Sequence, residues 1–594
     1  MVFVNKKRMA VIGVDGGHPK TLQKLMSAGK LPNFSELKEQ GSFSELRTLN
    51  SSQSPIAWSS IITGKTPGNH GVHDFIVRDP KQLKIKLGMN DERVDNQGNV
   101  SYVNLRKAKA VWNYFDADKT TASLFVPLTF PAENLNGWLL GGMGIPDALG
   151  TQGVPSIYAS NVKDSQSEVK PVSFSEENKA VIEITGFKGM KKKASLEIKD
   201  GRLIISIPSQ DKIVLEEGQW SDWVYLLFEK AECVFRFKLI SLKKEKFRLY
   251  LSPVGFSPRQ NFIPMAHPTN LGEELLERIG NFKALSFESD VYGLKEELID
   301  EKTWLEDMQY TLNKRVEVTK HLLDKKWNYF VVDFFAVDRA QHLFWHTIDK
   351  AHPYHDAGKG FEYVIDETYV KMDEKLGEMM KFFNEDDLVF VVSDHGFGSY
   401  AYNVEVNKIL FEKGFLSLKK PNQSRSLNDI AWGRTKAYAV GFGAIYLNLA
   451  GREKEGIVSA SELEAVRSEV IEELKKFNFD GQRIFKDLIP REGIYSGTYV
   501  DDMPDIIPIY NEGFRAGKES ILGAVSFEKE IVHENRCKWS GDHIGPYDTN
   551  DNKGFIFSNS PLNLSDANVF DIGSTAADFF NGNLNNVDGK SLLR

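Results

Sequence analysis

The sequence predicts an α/β protein, an α/β/α sandwich on a mainly parallel central sheet with an all-β insertion. Three observations carry this: short continuous apolar runs too brief for helices, helical patterns rich in Glu, Lys and Leu between them, and one long stretch where short β-rich segments replace helices. At 594 residues the chain has the length of several domains. Its 74 basic and 82 acidic side chains give a formal charge of −8, which argues against a protein gripping nucleic acid through a basic face and leaves room only for a local basic pocket. Hydrophobic residues at 41% and charged residues at 26%, with 47 Gly and 22 Pro, exclude collagen-like, low-complexity and wholly disordered chains.

The apolar run at 9–14 ends in Asp15-Gly16-Gly17 and predicts a strand buried on both faces. Pro19 then opens a helical pattern that stops near Gly29. Runs at 329–335 and 388–393 repeat the strand pattern after helical stretches, so a parallel sheet follows. Between Lys170 and Pro253 the segments 180–184, 194–198, 203–207, 224–228, 234–239 and 247–251 are short and β-rich. Asp200-Gly201 joins two of them as a hairpin, because both residues tolerate positive φ. The predicted organisation is a core in two parts, 1–165 and 256–594, around a β insertion at 166–255. Gly441-Phe442-Gly443 predicts a turn and no cofactor. Ser459-Ala460-Ser461-Glu462 has capping-box spacing before an amphipathic helix at 463–477, and the tail after Asp588-Gly589 predicts only a chain end.

Cys233 and Cys537 are the only cysteines, so neither a disulfide framework nor a thiolate metal site organises the chain. No apolar segment of signal-peptide type follows the basic start at 1–8, and no run approaches the ~20 apolar residues of a membrane span. The expectation is a cytoplasmic protein without a membrane span.

Hard metal ligands fall just after three predicted strands: Asp15, then Asp338 with His342, then Asp394 with His395. Ligands of open α/β sheets bind beyond the carboxyl ends of the strands, which would bring these segments to one rim. Asp338 and His342, four residues apart, share one face of a helix and can reach one ion. His543, in the loop-like Ser540-Gly541-Asp542-His543, is a further candidate. Singly, each carboxylate reads more readily as a helix cap and each His as a satisfied polar residue. Their recurrence in one context points to metal, and an Asp/His set without thiolate suits two Zn²⁺ or Mn²⁺ ions. Ser54 lies in Ser51-Ser52-Gln53-Ser54-Pro55-Ile56-Ala57-Trp58, where Pro55 fits the first helical position of a run to Thr63-Gly64. It is either a helix cap or, beside a metal, a nucleophile at a helix N-terminus.

Together, Val14-Asp15-Gly16-Gly17, Gln53-Ser54-Pro55-Ile56-Ala57-Trp58 with Thr63-Gly64 and His70-Gly71, Asp338-Arg339-Ala340-Gln341-His342, Ser393-Asp394-His395-Gly396 and Gly541-Asp542-His543 resemble the alkaline phosphatase superfamily. The match is to its type I phosphodiesterase/nucleotide pyrophosphatase family. It extends to 432–438 and Met503-Pro504-Asp505, and implies an alkaline-phosphatase-like fold. It also implies a hydrolase of small phosphorylated substrates in which Asp338, His342 and His543 hold one divalent ion. Asp15, Asp394, His395 and the Ser54 oxygen would hold the other, with Zn²⁺ the first choice and Mn²⁺ the second. Ser54 would attack phosphorus and form a phosphoserine intermediate.

Two departures qualify the substrate. Nucleotide pyrophosphatases commonly use Thr where this chain has Ser54, and they place an Asn shortly after the His-Gly, where this chain reads Val72-His73-Asp74-Phe75. Phe75 cannot donate to a phosphoryl oxygen, so Arg339, Arg434 and Lys436 become candidate substrate-binding groups. The expected function is a phosphodiesterase or pyrophosphatase; the alternatives are a phosphomonoesterase or phosphoglycerate-mutase-like phosphotransferase, and a non-catalytic phosphate-ligand binding protein. Gln53 two residues before Pro55 disfavours a sulfatase, and the absence of an Asn-Ser-Glu stretch disfavours a mutase.

Overall fold

The computed structural model of the chain describes residues 8–96, 100–162, 167–259, 263–284, 289–442, 444–543, 552–582 and 584–593; the start at 1–7 and Gly443 of the glycine pair lie outside the described residues. Two compact units form, one from Met1–Leu128, Leu135–Gly137 and Leu323–Arg594, the other from Thr129–Asn134 and Trp138–Leu322.

In the first unit the elements that matter to the site are β1 (Met9–Val14), α1 (Pro19–Ser27), α2 (Pro32–Gln40), β2 (Ser42–Leu46), α3 (Ser54–Thr63) and β3 (Thr121–Leu124). They continue with β4 (Tyr329–Phe334), α4 (Ala336–Ile348), α5 (Val364–Met380), β5 (Leu388–Val392), β6 (Gly398–Val404), β7 (Gly513–Ala516), β8 (Gly541–Asp542), β9 (Gly554–Ser558) and α6 (Val569–Phe579). Among these strands the order in the eight-stranded central sheet is β2-β9-β5-β1-β4-β3. Their pairing is parallel through β5, β1, β4 and β3, and antiparallel on either side of β9. The apolar runs of β1, β4 and β5 are buried at every residue, as a sheet covered on both faces requires. Met9, Val11, Tyr329, Val331, Phe390 and Val392 pack with Trp58, Ile61 and Ile62 of α3 and with Val569, Ile572 and Ala576 of α6. The helices α1, α2, α4 and α5 pack among themselves.

The chain end is more than a tail. Asp588 Oδ2 accepts from the backbone N–H and hydroxyl of Thr66 at 2.9 Å and from Asn69 at 2.8 Å, and Leu592 joins the core beside α3 and α6. Its short polar composition concealed this role. The capping box before the helix Leu463–Lys475 is also incomplete: Glu462 accepts from the Ser459 backbone at 3.0 Å, but the Ser459 hydroxyl donates to the same carboxylate instead of capping the helix.

In the second unit Lys179–Thr185, Lys191–Lys199, Arg202–Ser206 and Ile213–Leu215 form one antiparallel sheet. Ala180, Ile182 and Ile184 alternate inward, and Asp200 and Gly201 turn the hairpin at φ 50° and 73°. The predicted strand at 234–239 is two strands, Ala231–Phe235 and Phe237–Ser241, in different sheets. Arg236 separates them: its buried guanidinium pairs with Asp307 and lies 4.0 Å over Trp220, so the backbone is diverted where the charge enters the core. The unit also holds the helices Leu271–Ile279 and Val291–Lys295.

Candidate active site

The carboxyl ends of β1, β4 and β5 deliver Asp15, the first turn of α4, and Asp394 with His395 to one rim, the arrangement open α/β sheets use for ligands. Gly16 makes the close approach possible. It sits at φ 68°, and a Cβ there would lie 2.9 Å from the Cβ of Asp338. Gly16→Ala is expected to cost about 2 kcal/mol through left-handed strain plus the clash. The urea midpoint of unfolding measures it, and an unchanged midpoint would show that the loop has room to move.

Ser54 does not cap its helix. Gln53 holds the extended cap position, Ser54 opens α3, and the Ser54 hydroxyl instead donates to Asp15 Oδ1 at 3.1 Å and stands 3.2 Å from His395 Nε2. The second oxygen of Asp15 accepts from the Trp58 indole N–H at 3.0 Å, so the carboxylate is oriented from one turn further along the same helix. Asp394 Oδ1 accepts from the Gly16 N–H at 3.2 Å. The Ser393 hydroxyl accepts from Gly17 at 2.6 Å and donates to the carbonyl of His395 at 2.7 Å, which clamps the β1 and β5 loops together.

The three histidines share one logic. His342 Nδ1 donates to the Gly541 carbonyl at 2.8 Å, His395 Nδ1 to the Gly396 carbonyl at 3.1 Å, and His543 Nδ1 to the Ser52 carbonyl. Holding Nδ1–H on a backbone oxygen leaves each Nε2 lone pair to face the cluster, as in metal-ligating histidines. His342 Nε2 lies 3.4 Å and His543 Nε2 4.0 Å from Asp338 Oδ1, while His395 Nε2 lies 3.2 Å from Asp394 Oδ2. The His395 and His543 rings stack at 3.8 Å, and Trp539 stacks on His342 at 3.7 Å.

Two groups of potential ligand atoms, each within 4.8 Å of one another, result: Asp15, Asp394 and His395, and Asp338, His395 and His543. His395 belongs to both, and His342 stands beside the second. All these carboxylates are buried. Burial, then the charges of Asp394 and Asp338, pushes Asp15 well above the usual carboxylate range, and burial with Asp338 does the same to Asp394. Burial also acts on Asp338, but His342 and Arg339 outweigh it and hold that group low. Both oxygens of Asp338 and Oδ2 of Asp394 accept no hydrogen bond among the described residues. A cation in the cluster would satisfy these buried oxygens, and the Asp/His donor set fits a Zn²⁺- or Mn²⁺-class ion.

Of the other candidates, Arg339 is buried at the site, with Nη1 3.0 Å from Asp338 Oδ2. Arg434 and Lys436 are exposed. Arg434 donates to the Leu418 carbonyl and Lys436 lies beside Glu462, so the structure does not bring either to the cluster. Phe75 contributes its backbone N–H to Gln53 Oε1 at 2.7 Å. The orienting residues Trp58, Ser393 and Ser52 were not singled out from sequence. Trp58 carried a usable signal, its i+4 spacing from Ser54; Ser52 carried none.

A comparison with curated protein sequences finds no match. Among solved structures the chain is similar to phosphonoacetate hydrolase from Sinorhizobium meliloti, at 12% identity and a TM-score of 0.45, with 96% of this chain and 94% of that chain covered. It is also similar to human ectonucleotide pyrophosphatase / phosphodiesterase 5, at 11% and 0.45, with 98% and 97% covered. A mutant of the alkaline phosphatase PafA is similar at 13% and 0.44, with 99% and 98% covered. The family model for type I phosphodiesterase / nucleotide pyrophosphatase matches residues 9–195 and 264–538, and the chain belongs to that family.

Proposed function

We propose that the chain hydrolyses phosphodiesters or pyrophosphates at this cluster, with Ser54 as the nucleophile. The observation that carries the reading is the Ser54 hydroxyl, buried and held between Asp15 Oδ1 at 3.1 Å and His395 Nε2 at 3.2 Å. Asp15, Asp394, His395 and Ser54 would hold one divalent ion, and Asp338, His342 and His543 the other. Ions bound there supply Lewis-acid stabilisation of phosphoryl oxygens and favour an ionised Ser54 oxygen. Asp15 receives the hydrogen bond of the Ser54 hydroxyl and so fixes its orientation. Ser54 Oγ attacks phosphorus, the bond to the leaving oxygen breaks, and a phosphoserine forms at the N-terminal end of α3, where the helix dipole favours negative charge. Water attacking that phosphorus in line then releases phosphate or its ester and restores the hydroxyl.

A monoester brings one more negative charge than a diester, so an enzyme specialised for it gains from a free cation near the phosphoryl group. Arg339 Nη1 is already ion-paired with Asp338, which offsets part of its charge, and Phe75 offers no side-chain donor. A diester preference follows. With a matched aryl phosphate and its methyl diester under identical Zn²⁺ or Mn²⁺ loading, kcat/KM is expected to favour the diester by about 10-fold or more, the scale of one missing charged partner. A clear monoester preference would place the enzyme among phosphomonoesterases instead.

A further inference from the structure

Resting on that hydrolase reading, we propose that Arg515 is a substrate-binding residue which receives an anionic group of the substrate lying beyond the scissile phosphoryl. Arg515, on β7, is only 8% exposed. Its Nη1 stands 2.7 Å from Asp542 Oδ2, and the guanidinium is flanked by the rings of Phe442 at 4.4 Å and Tyr400 at 4.9 Å. Nε makes no hydrogen bond among the described residues. The guanidinium is thus fixed in orientation, paired on one side, and left with an unspent donor on the other. A buried charged donor without an acceptor is costly unless a ligand receives it.

Its position relates this donor to the reaction. Asp542 directly precedes His543. On the other side, the Phe442 N–H donates to Asp74 Oδ2 at 2.9 Å, and Asp74 Oδ1 accepts from Gln53 Nε2 at 3.3 Å, next to Ser54. The turn at Gly441 serves this contact: φ is 81°, and a Cβ would lie 2.6 Å from Asp74 Oδ2, so only glycine lets Phe442 reach Asp74. Two short routes therefore lead from Arg515 to the nucleophile and to a candidate ligand, while Arg515 itself contacts neither. A group bound by Arg515 is displaced from the attacked phosphorus. The planar fork of a guanidinium suits a phosphoryl or carboxylate group, which it can hold through two parallel bonds.

The competing role is structural. Asp542 also accepts from the Trp539 indole at 3.2 Å, and Trp539 stacks on His342, so Arg515 could act only by holding Asp542. Three aryl phosphodiesters with the same aryl leaving group, whose second ester is methyl, 2-carboxyethyl or 2-phosphoethyl, separate the two roles. Arg515→Gln and Arg515→Lys should each lose about 10- to 100-fold more kcat/KM toward an anion-bearing diester than toward the methyl diester. Whichever ester shows the larger loss identifies the bound group as phosphoryl or carboxylate. Lysine retains a charge for Asp542, so equal losses across all three esters in Arg515→Gln, with recovery of all three in Arg515→Lys, would overturn the proposal. If the wild-type chain hydrolyses none of them, the hydrolase reading fails. Calorimetric binding of inorganic pyrophosphate to the full chain then decides Arg515: a loss of at least ~10-fold in Arg515→Gln relative to orthophosphate supports it, and unchanged pyrophosphate binding overturns it.

Discussion

Ser54→Ala is expected to lower phosphodiester turnover by at least ~10³-fold, the scale on which removal of a covalent nucleophile registers. The folded chain should survive it. Ser54 makes no cap bond, so the cost is that of leaving the buried Asp15 Oδ1 without its hydroxyl donor, about 1–3 kcal/mol. Trp58 still holds the other oxygen of Asp15 at 3.0 Å, which keeps the carboxylate oriented in the variant. Ser54→Thr preserves the oxygen and should retain turnover within about 10-fold if the extra methyl is accommodated, since overpacking a closed site costs ~1–3 kcal/mol. The comparison is steady-state kinetics of the three proteins beside their urea midpoints. Near-native turnover in the alanine variant would mean that another oxygen attacks phosphorus. Wild-type protein that binds phosphate esters without turning them over would favour the binding-protein alternative.

The parts of this molecule legible in sequence are those written in local pattern. Met9–Val14, Tyr329–Phe334 and Leu388–Val392 are apolar without interruption because both faces of the sheet are covered, and this distinguishes them from half-exposed strands. Asp15, Asp394 and His395 were readable as metal-ligand candidates because they sit at the end of such runs, and Asp338 and His342 because four residues make one helical turn, whereas His543, in a loop-like segment, carried no such cue. What sequence could not supply is pairing between distant segments. Nothing in Ser51-Ser52 announces that the Ser52 carbonyl will fix the His543 ring, and nothing in Arg515 announces Asp542. Arg434 and Lys436 looked equivalent to Arg339 as spare cations, yet only the strand-end position of Arg339 brings it to the cluster. Arg236 shows the converse failure. A single charge in a β-rich run reads as surface alternation, and its burial against Asp307 splits one predicted strand into two.

Exhaustive chelation is expected to abolish turnover and lower the unfolding midpoint, and Zn²⁺ or Mn²⁺ should restore both. The cause lies in the acids. Asp15, Asp338 and Asp394 are each at 0% exposure, and Arg339 makes its ion pair with Asp338. Burial and mutual repulsion penalise the ionised forms of Asp15 and Asp394, and a divalent ion would remove that penalty while accepting the orphaned oxygens of Asp338 and Asp394. A ligand that binds the folded chain alone adds RT ln(1 + [L]/Kd), about 4 kcal/mol at a thousand times Kd, so the thermal shift on reloading should be large and should rise with metal concentration. Metal analysis of the active protein should find about two ions per chain, as a two-metal phosphoryl-transfer site requires. Asp394→Asn supplies the sign test. Removing one of the buried charges should stabilise the metal-free chain relative to wild type, yet shrink its response to Zn²⁺ and its turnover. Full activity with no ion detected after chelation, or an Asp394→Asn chain that responds to metal as wild type does, would show that these carboxylates are held by something other than a cation.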